Sequence, residues 1–255
     1  MKIDISKCVA CKTCHPYCPV GAISLVELED SKVVSEINQV DCVECGVCLR
    51  ANVCHERALY MPDLQWPRTI RAIFSDPVSI HPSTDVRGRG TNEMKTNDVT
   101  GRYKHGYTGV LLEMGRPGVG TNFRNLQKVC MGLAAFGVEF EAANPINTFM
   151  TDKKKGKFRD DILEEKVLSA IIEFTLKDEK LSEALYTIKG LAREIDTVFS
   201  LSLISRIGEN GRIPMVSIAK RAGFVLYPNT KTNLGLGRPL KGEERNDTYS
   251  SPERK

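Results

Sequence analysis

The sequence has no apolar run that approaches the roughly 20 residues a helix needs to span a bilayer. Its opening segment, MKIDISKC, has neither an apolar signal region nor a small-residue cleavage site. We therefore expect a cytoplasmic protein with no membrane span. Thiols stay reduced in that compartment, so clustered cysteines there favour metal binding over disulfides.

Histidine is also scarce, since the 255 residues include only four histidines and these are scattered. We find no Ser-His-Asp or Cys-His pattern and no segment that resembles a flavin, molybdopterin or corrinoid motif. A separate catalytic site is hard to build from these residues. Whether the chain is an enzyme stays open, and a non-catalytic role in a larger complex is the expectation.

Neither sign of charge is in large excess. Lys and Arg number 36 against 32 Asp and Glu, which gives a formal net charge of +4. This excess is too small to indicate nucleic-acid binding, and no stripe of interleaved aromatic and basic residues is present. Residues 1–62 have eight acidic and six basic residues, so the rest of the chain is basic and could dock an acidic protein.

Cysteine is concentrated at the beginning of the chain. Eight of the nine cysteines lie in the first 54 residues, in the runs CVACKTCHPYC (8–18) and CVECGVCLRANVC (42–54). The second run repeats the first at an offset of 34 residues for three cysteines and 36 for the fourth. A repeat of this kind indicates one small unit used twice.

Three kinds of site compete for these eight cysteines. Disulfides fit poorly in a cytoplasmic protein, and zinc sites usually take two separated C-x-x-C pairs. Here three cysteines follow one another at gaps of two residues, a fourth comes soon after, and Pro19 follows Cys18. This order is typical of the bacterial ferredoxin run for an iron–sulfur cluster, so we favour iron–sulfur binding and keep zinc as the alternative.

On these motifs, residues 1–61 resemble a bacterial-type two-cluster [4Fe-4S] ferredoxin, a resemblance that covers about a quarter of the chain. The resemblance implies that the fourth cysteine of each run crosses to the other cluster. The implied ligands are Cys8, Cys11, Cys14 and Cys54 for cluster one, and Cys42, Cys45, Cys48 and Cys18 for cluster two. The stretch between the runs predicts a strand, a turn and a second strand.

The second run departs from the ferredoxin pattern in two ways. Five residues instead of three precede Cys54, and His55 stands where proline usually follows. His55 is either an unusual ligand or a residue that lies near the cluster without binding it. We expect the latter, because eight cysteines already complete the set.

Residues 62–105 are rich in Pro, Gly, Thr and Asn and break both helical and strand periodicity. We interpret them as an ordered, irregular connector with one short strand near Thr69–Phe74. Its polar stretch is either an exposed loop or a site for an anion or a partner, which would use Arg87, Arg89, Lys95 and Arg102.

Residues 106–240 alternate between strand and helix patterns. The strands are predicted at YTGVLLEM, VEFEAANP, KVLSAIIEFTL and DTVFSLSLISRI, and the helices at NFRNLQKVCMGLAAFG and DEKLSEALYTIKGLAREI. Two strand–helix–strand units predict an α+β sandwich with helices on one face of a sheet. The second unit weakly resembles ligand-binding modules of the ACT type, and a docking scaffold is equally compatible with it.

Three further features belong to the larger part of the chain. Cys130 falls on the apolar face of the first helix and is expected in the core. The loop GRPGVGT before that helix is either a small anion site or a tight turn with no ligand. The polar end, residues 241–255, is expected to be a mobile tail.

These features give a leading hypothesis and two alternatives. The chain would be an electron-transfer subunit that passes single electrons through two [4Fe-4S] clusters to or from a larger oxidoreductase partner in anaerobic metabolism. The first alternative is a redox- or ligand-sensing regulator with an ACT-like domain, and the second is an enzyme with its own substrate pocket. Residues 106–240 would bind the partner subunit or a second copy of the chain.

Overall fold

The computed structural model describes residues 1–83, 85, 103–116, 118–142, 144–208 and 210–227. The four basic residues of the predicted polar loop and the predicted tail lie outside the described residues. The described part has both helices and small antiparallel sheets, so the chain is an α+β protein, as the sequence predicted. Within it, no helix combines the length and the apolar character needed to cross a membrane.

The cysteine-rich part consists of two short antiparallel strand pairs and the two cysteine runs. Its elements are β1 (Lys2–Ile3), β2 (Ile23–Glu27), β3 (Val33–Ile37), the one-turn helix α1 (Val47–Arg50) and β4 (Leu59–Tyr60). β1 pairs with β4, which brings the two ends of this part together. β2 pairs with β3 between the runs, so the predicted strand–turn–strand is confirmed.

The larger part follows, with one short helix ahead of a mixed region of strands and helices. Its elements are α2 (Thr69–Ser75), β5 (Tyr107–Met114), β6 (Thr121–Asn122), α3 (Phe123–Ala134), β7 (Glu139–Phe140), β8 (Met150–Asp152), β9 (Lys157–Phe158), β10 (Lys166–Val167), β11 (Ala170–Lys177), α4 (Leu181–Leu191), β12 (Phe199–Ile204) and α5 (Pro214–Arg221). Short 3-10 turns add to these at 145–149, 160–162 and 178–180.

The prediction of a strand near Thr69–Phe74 was wrong, because this segment is the helix α2. Thr69, Ile70 and Ile73 are β-branched and favour a strand when the segment is considered alone. Ile70 and Phe74 are four residues apart, however, and both are buried in the main core. A helix places these two side chains on one face, and that burial outweighs the local preference.

The main sheet has four strands in the order β12-β5-β11-β7, and every neighbouring pair is antiparallel. The predicted strands at β5, β11 and β12 are confirmed, whereas VEFEAANP forms a strand over only two residues. Val110, Leu112 and Met114 alternate along β5 and join the side chains of α3 and α4 in one buried core.

The two predicted helices are confirmed as α3 and α4. The apolar side chains of α3 that the sequence placed on one face, Cys130 among them, are fully buried, and Cys130 is therefore a core residue. The Asn122 side chain caps α3 by accepting a hydrogen bond from the Asn125 amide at 2.9 Å. The helix α5 was missed in the sequence, although it packs against the same core through Met215 and Ile218.

Candidate metal centres

Two separate cavities in the cysteine-rich part collect the eight cysteines of the two runs. Cys8, Cys11, Cys14 and Cys54 line the first cavity. Cys18 lines the second cavity together with Cys42, Cys45 and Cys48. The chain thus brings the fourth cysteine of each run to the three leading cysteines of the other run.

The backbone explains how each run curves around its cavity. Ala10 and Lys12 adopt left-handed conformations with φ of 56° and 61°. Glu44 and Gly46, which lie 34 residues later, repeat this with φ of 56° and 67°. The sequence repeat is therefore also a repeat of backbone shape. A left-handed non-glycine residue costs roughly 1–2 kcal/mol and persists where its surroundings enforce it.

Backbone amides donate hydrogen bonds to three of the sulfur atoms. The Ala22 amide lies 3.1 Å from Cys18 Sγ, and the Ala58 amide lies 3.3 Å from Cys54 Sγ. In both cases the donor is four residues after the cysteine, so the two fourth cysteines accept equivalent hydrogen bonds. The amide of buried Ser35 donates to Cys8 Sγ at 3.3 Å. Such donors stabilise negative charge on sulfur and tune a metal bound to it.

Burial affects four of the eight thiols that face the cavities. It raises the pKa of Cys14, Cys42 and Cys45, and it raises the pKa of Cys48 to about 12. Cys11 differs, because a hydrogen bond from the Thr13 hydroxyl lowers its pKa. The buried thiols are therefore poor acids on their own, and a metal that binds them must displace their protons.

The two cavities differ in their exposure to solvent. Cys11 of the first set is exposed, and the neighbouring Val9 side chain is 63% exposed. In the second set Cys42, Cys45 and Cys48 are all buried. The first set therefore faces solvent, whereas the second is enclosed by protein.

Part of the enclosure of the second set comes from the larger part of the chain. Buried Arg71 on α2 donates hydrogen bonds to the carbonyl oxygens of Gln39, Val40 and Cys42 at 3.1, 2.9 and 2.8 Å. The same guanidinium pairs with Glu165 through its Nε atom. Arg71 thus connects the second cysteine run to the chain just before β10.

Further ion pairs join the same two regions. Glu44 stands between Cys42 and Cys45 in the sequence, and its carboxylate is fully buried. This carboxylate pairs with Arg68 at 2.6 Å and with the amino group of Met1. Lys166 Nζ lies 2.8 Å from Asp41 Oδ1. A buried carboxylate needs such partners, since an unpaired charge in the interior is costly.

His55 lies on the wall of the first cavity and is exposed to solvent. No histidine lines the second cavity. The expectation that His55 does not bind the cluster stays a prediction. His15, within the first run, makes a 2.9 Å hydrogen bond through its Nε2 atom to the Ser35 hydroxyl.

The described residues of the GRPGVGT segment form a tight turn. The Gly115 amide donates to the Val198 carbonyl at 2.7 Å, and the Val119 and Gly120 amides donate back to the Gly115 carbonyl at 3.1 and 3.0 Å. The Asn122 side chain accepts a hydrogen bond from a further amide at the N-terminus of α3, that of Asn125. Acceptors of the chain itself occupy these donors, which favours the interpretation without an anion.

Comparison with known proteins identifies the cysteine-rich part. The family model for the 4Fe-4S dicluster domain matches residues 7–58, so the N-terminal region is a dicluster domain of the ferredoxin type, as the resemblance implied. A subunit of the ion-translocating oxidoreductase complex of Methanosarcina acetivorans is 36% identical over 52 residues, which are 20% of this chain and 17% of that protein. The chain therefore matches less than a fifth of that relative's length. No solved structure matches the chain.

The residues present fit [4Fe-4S] clusters. Each cavity offers four thiols, none of which is in a disulfide. Among the described residues no three His, Cys, Asp or Glu side chains converge on a position for a single metal ion. The thiols instead surround a space between them, which suits a cluster with one thiolate for each of its four irons.

Several residues of this site were missed by sequence reasoning. Ser35 and Arg71 contact the cysteine runs from 27 and 29 residues away, and no local pattern marks them. Glu165 is 94 residues from Arg71. The repeat itself was the usable signal for the Ala22 and Ala58 amides, because both follow a fourth cysteine by four residues.

Proposed function

We propose that this protein is an electron-transfer subunit that holds two [4Fe-4S] clusters and exchanges electrons with a larger oxidoreductase partner in anaerobic metabolism. The observation that carries the proposal is the grouping of eight free thiols around two cavities, within a region that the dicluster family model matches. Each cluster, when bound, supplies one-electron redox chemistry.

The proposed ligands follow the crossed grouping. Cluster one is assigned to Cys8, Cys11, Cys14 and Cys54, and cluster two to Cys42, Cys45, Cys48 and Cys18. The Ser35, Ala22 and Ala58 amides hold three of these sulfurs in place. Because each cluster takes ligands from both runs, metal binding stabilises the fold of residues 1–61 as a unit.

The difference in exposure gives the two sites different tasks. A redox partner would contact the rim of the first cavity, where Cys11 and Val9 are exposed. Electron-transfer encounters use small interfaces, so a limited apolar rim of this kind is sufficient. The second site is shielded by protein and held by Arg71, which keeps its cysteine loop fixed and excludes water.

The location and the partner are proposed on separate grounds. The similar protein from Methanosarcina acetivorans is named as a subunit of an oxidoreductase complex, which supports a partner of that class for this chain. The cytoplasm is proposed as the compartment because it keeps the thiols reduced for metal binding.

The proposal is tested by tagging the full chain and purifying it anaerobically from the cells that produce it. We expect a stoichiometric oxidoreductase in the eluate, and we expect the purified chain to exchange electrons with it in a stopped-flow experiment. Val9→Glu should slow this exchange, because it places a charge on the rim of the first cavity.

The matched control is Val225→Glu, which adds the same charge at a valine that is 85% exposed in the larger part. It should leave the exchange rate unchanged. A chain that purifies without any oxidoreductase contradicts the proposed role. Equal rates of electron transfer with and without the Val9 substitution contradict the proposed docking rim.

A further inference from the structure

The two edges of the main sheet are unequal. At one edge β7 has only two residues, and a very short edge strand is a usual protection against unwanted pairing. At the other edge β12 has six residues, FSLSLI, with no charge, no proline and no bulge in its pairing with β5. An edge strand of this kind is a template for another strand.

The register of β12 shows which of its backbone groups face outward. The Gly115 amide donates to the Val198 carbonyl, and the register places Ser200, Ser202 and Ile204 in the same hydrogen-bonding phase toward β5. The N–H and C=O groups of Phe199, Leu201 and Leu203 therefore point away from the sheet. Among the described residues these outward groups have no hydrogen-bond partner.

We propose that two copies of this chain associate through β12, pairing antiparallel about a two-fold axis at Leu201. In this arrangement Leu201 faces Leu201 of the second copy, and Phe199 of each copy faces Leu203 of the other, which makes three pairs. Each of these three pairs exchanges two backbone hydrogen bonds, so the outward groups of both strands are satisfied. The two four-stranded sheets become one continuous sheet.

The side chains of β12 fit this self-pairing on both faces. Phe199, Leu201 and Leu203 pack at the margin of the main core and are only partly buried, so the second copy would extend that core. On the other face Ser200 and Ser202 meet across the strands, with no like charges opposed. An isologous interface requires such self-complementarity, and β12 has it.

The residue that precedes the strand favours this register. With the axis at Leu201, Val198 of each copy, which is an exposed apolar residue, lies opposite Ile204 of the other. The register thus covers an exposed apolar side chain in each copy.

The association is measured on the full chain, with clusters intact, by anaerobic sedimentation velocity over a dilution series. We expect a dimer that dissociates on dilution. Leu201→Pro should give a monomer, because it removes an outward N–H while every β5–β12 hydrogen bond can remain. Ser202→Glu should also give a monomer, since it places a carboxylate opposite Ser200 and near Glu113 of the second copy.

Tyr186→Glu is the matched control, because it adds the same charge on the exposed side of α4 and should leave the dimer intact. Amide exchange supplies an independent readout. On dilution, exchange should accelerate at Phe199, Leu201 and Leu203 and stay unchanged at Ser200, Ser202 and Ile204.

Three results would overturn the proposal. One is a monomer at every soluble concentration. Another is a dimer that survives both β12 substitutions and dissociates with the α4 control. The last is protection of the odd-numbered amides that does not depend on concentration, which would mean that another segment of the same chain occupies the edge. None of these results depends on electron transfer, so the proposed function is tested separately.

Discussion

Arg71 donates a 2.8 Å hydrogen bond to the carbonyl oxygen of Cys42, and so joins the helix after the dicluster domain to the buried cysteine run. The same Nη1 atom lies within hydrogen-bond distance of two more carbonyl oxygens, and the Nε atom of the guanidinium pairs with the carboxylate of Glu165. Arg71 therefore holds the dicluster domain to the larger part through the loop of Cys42, which lines the second cavity.

Arg71→Met should destabilise the protein by about 3–5 kcal/mol, because it leaves the carboxylate of Glu165 largely buried without its partner. It should also speed the loss of iron from the site of Cys42, Cys45 and Cys48 to a chelator. Anaerobic denaturant unfolding and the rate of iron release are the two measurements.

Arg124→Met is the control for this substitution, since Arg124 pairs with the adjacent Glu164 on the exposed surface. An exposed pair contributes about 0–1 kcal/mol, so the loss should be small and iron release unchanged. Equal effects of the two substitutions would show that Arg71 has no special role at the second cysteine run.

The crossed grouping predicts which cysteines lose protection when a fourth ligand is removed. Cys18→Ala should expose Cys42, Cys45 and Cys48 to alkylation by iodoacetamide, whereas Cys8, Cys11 and Cys14 stay protected. Cys54→Ala should give the converse pattern. Anaerobic alkylation followed by peptide mass spectrometry distinguishes the two sets.

The opposite pattern, in which Cys18→Ala exposes the cysteines of its own run, would refute the crossing. Cys130→Ala is the control, because Cys130 lies in the main core, away from both cavities. It should leave all eight cysteines protected.

His81 predicts a loss of stability in mild acid. The ring is 1% exposed and packs edge-on against Phe74, with centroids 5.4 Å apart, and burial lowers its pKa. At a pH below the ordinary histidine pKa of about 6.5, the ring binds a proton in the unfolded chain more readily than in the folded chain. The contribution of neutral His81 to the free energy of unfolding is therefore fully present above pH 6.5, and it declines as the pH falls below 6.5.

The measurement is the unfolding free energy between pH 7.5 and about 5.5, above the range where carboxylates dominate. His81→Phe should flatten its decline, and His105→Phe, at an exposed histidine, should not. A decline of equal slope in wild type and His81→Phe would contradict the assignment.

Local patterns predicted much of this structure. The spacing of Leu181, Leu185 and Ile188 was sufficient for α4, and the eight cysteines were sufficient for the dicluster domain. The register of β12 against β5 and the contact of Arg71 with Glu165 join residues far apart in sequence, and local periodicity carries no information about such pairs.

Two errors have specific physical causes. The β-branched residues of α2 favour a strand locally, whereas the core that Ile70 and Phe74 share requires a helix. α5 was missed although Met215, Ile218, Ala219 and Ala222 follow helical spacing after Pro214, which is favoured in the first turn of a helix.

The central claim, that the chain holds two [4Fe-4S] clusters, is tested most directly by the iron and acid-labile sulfide content of protein purified without oxygen. We expect about eight irons and about eight sulfides per chain, because each cluster contributes four of each. Stoichiometric zinc without labile sulfide would contradict the account.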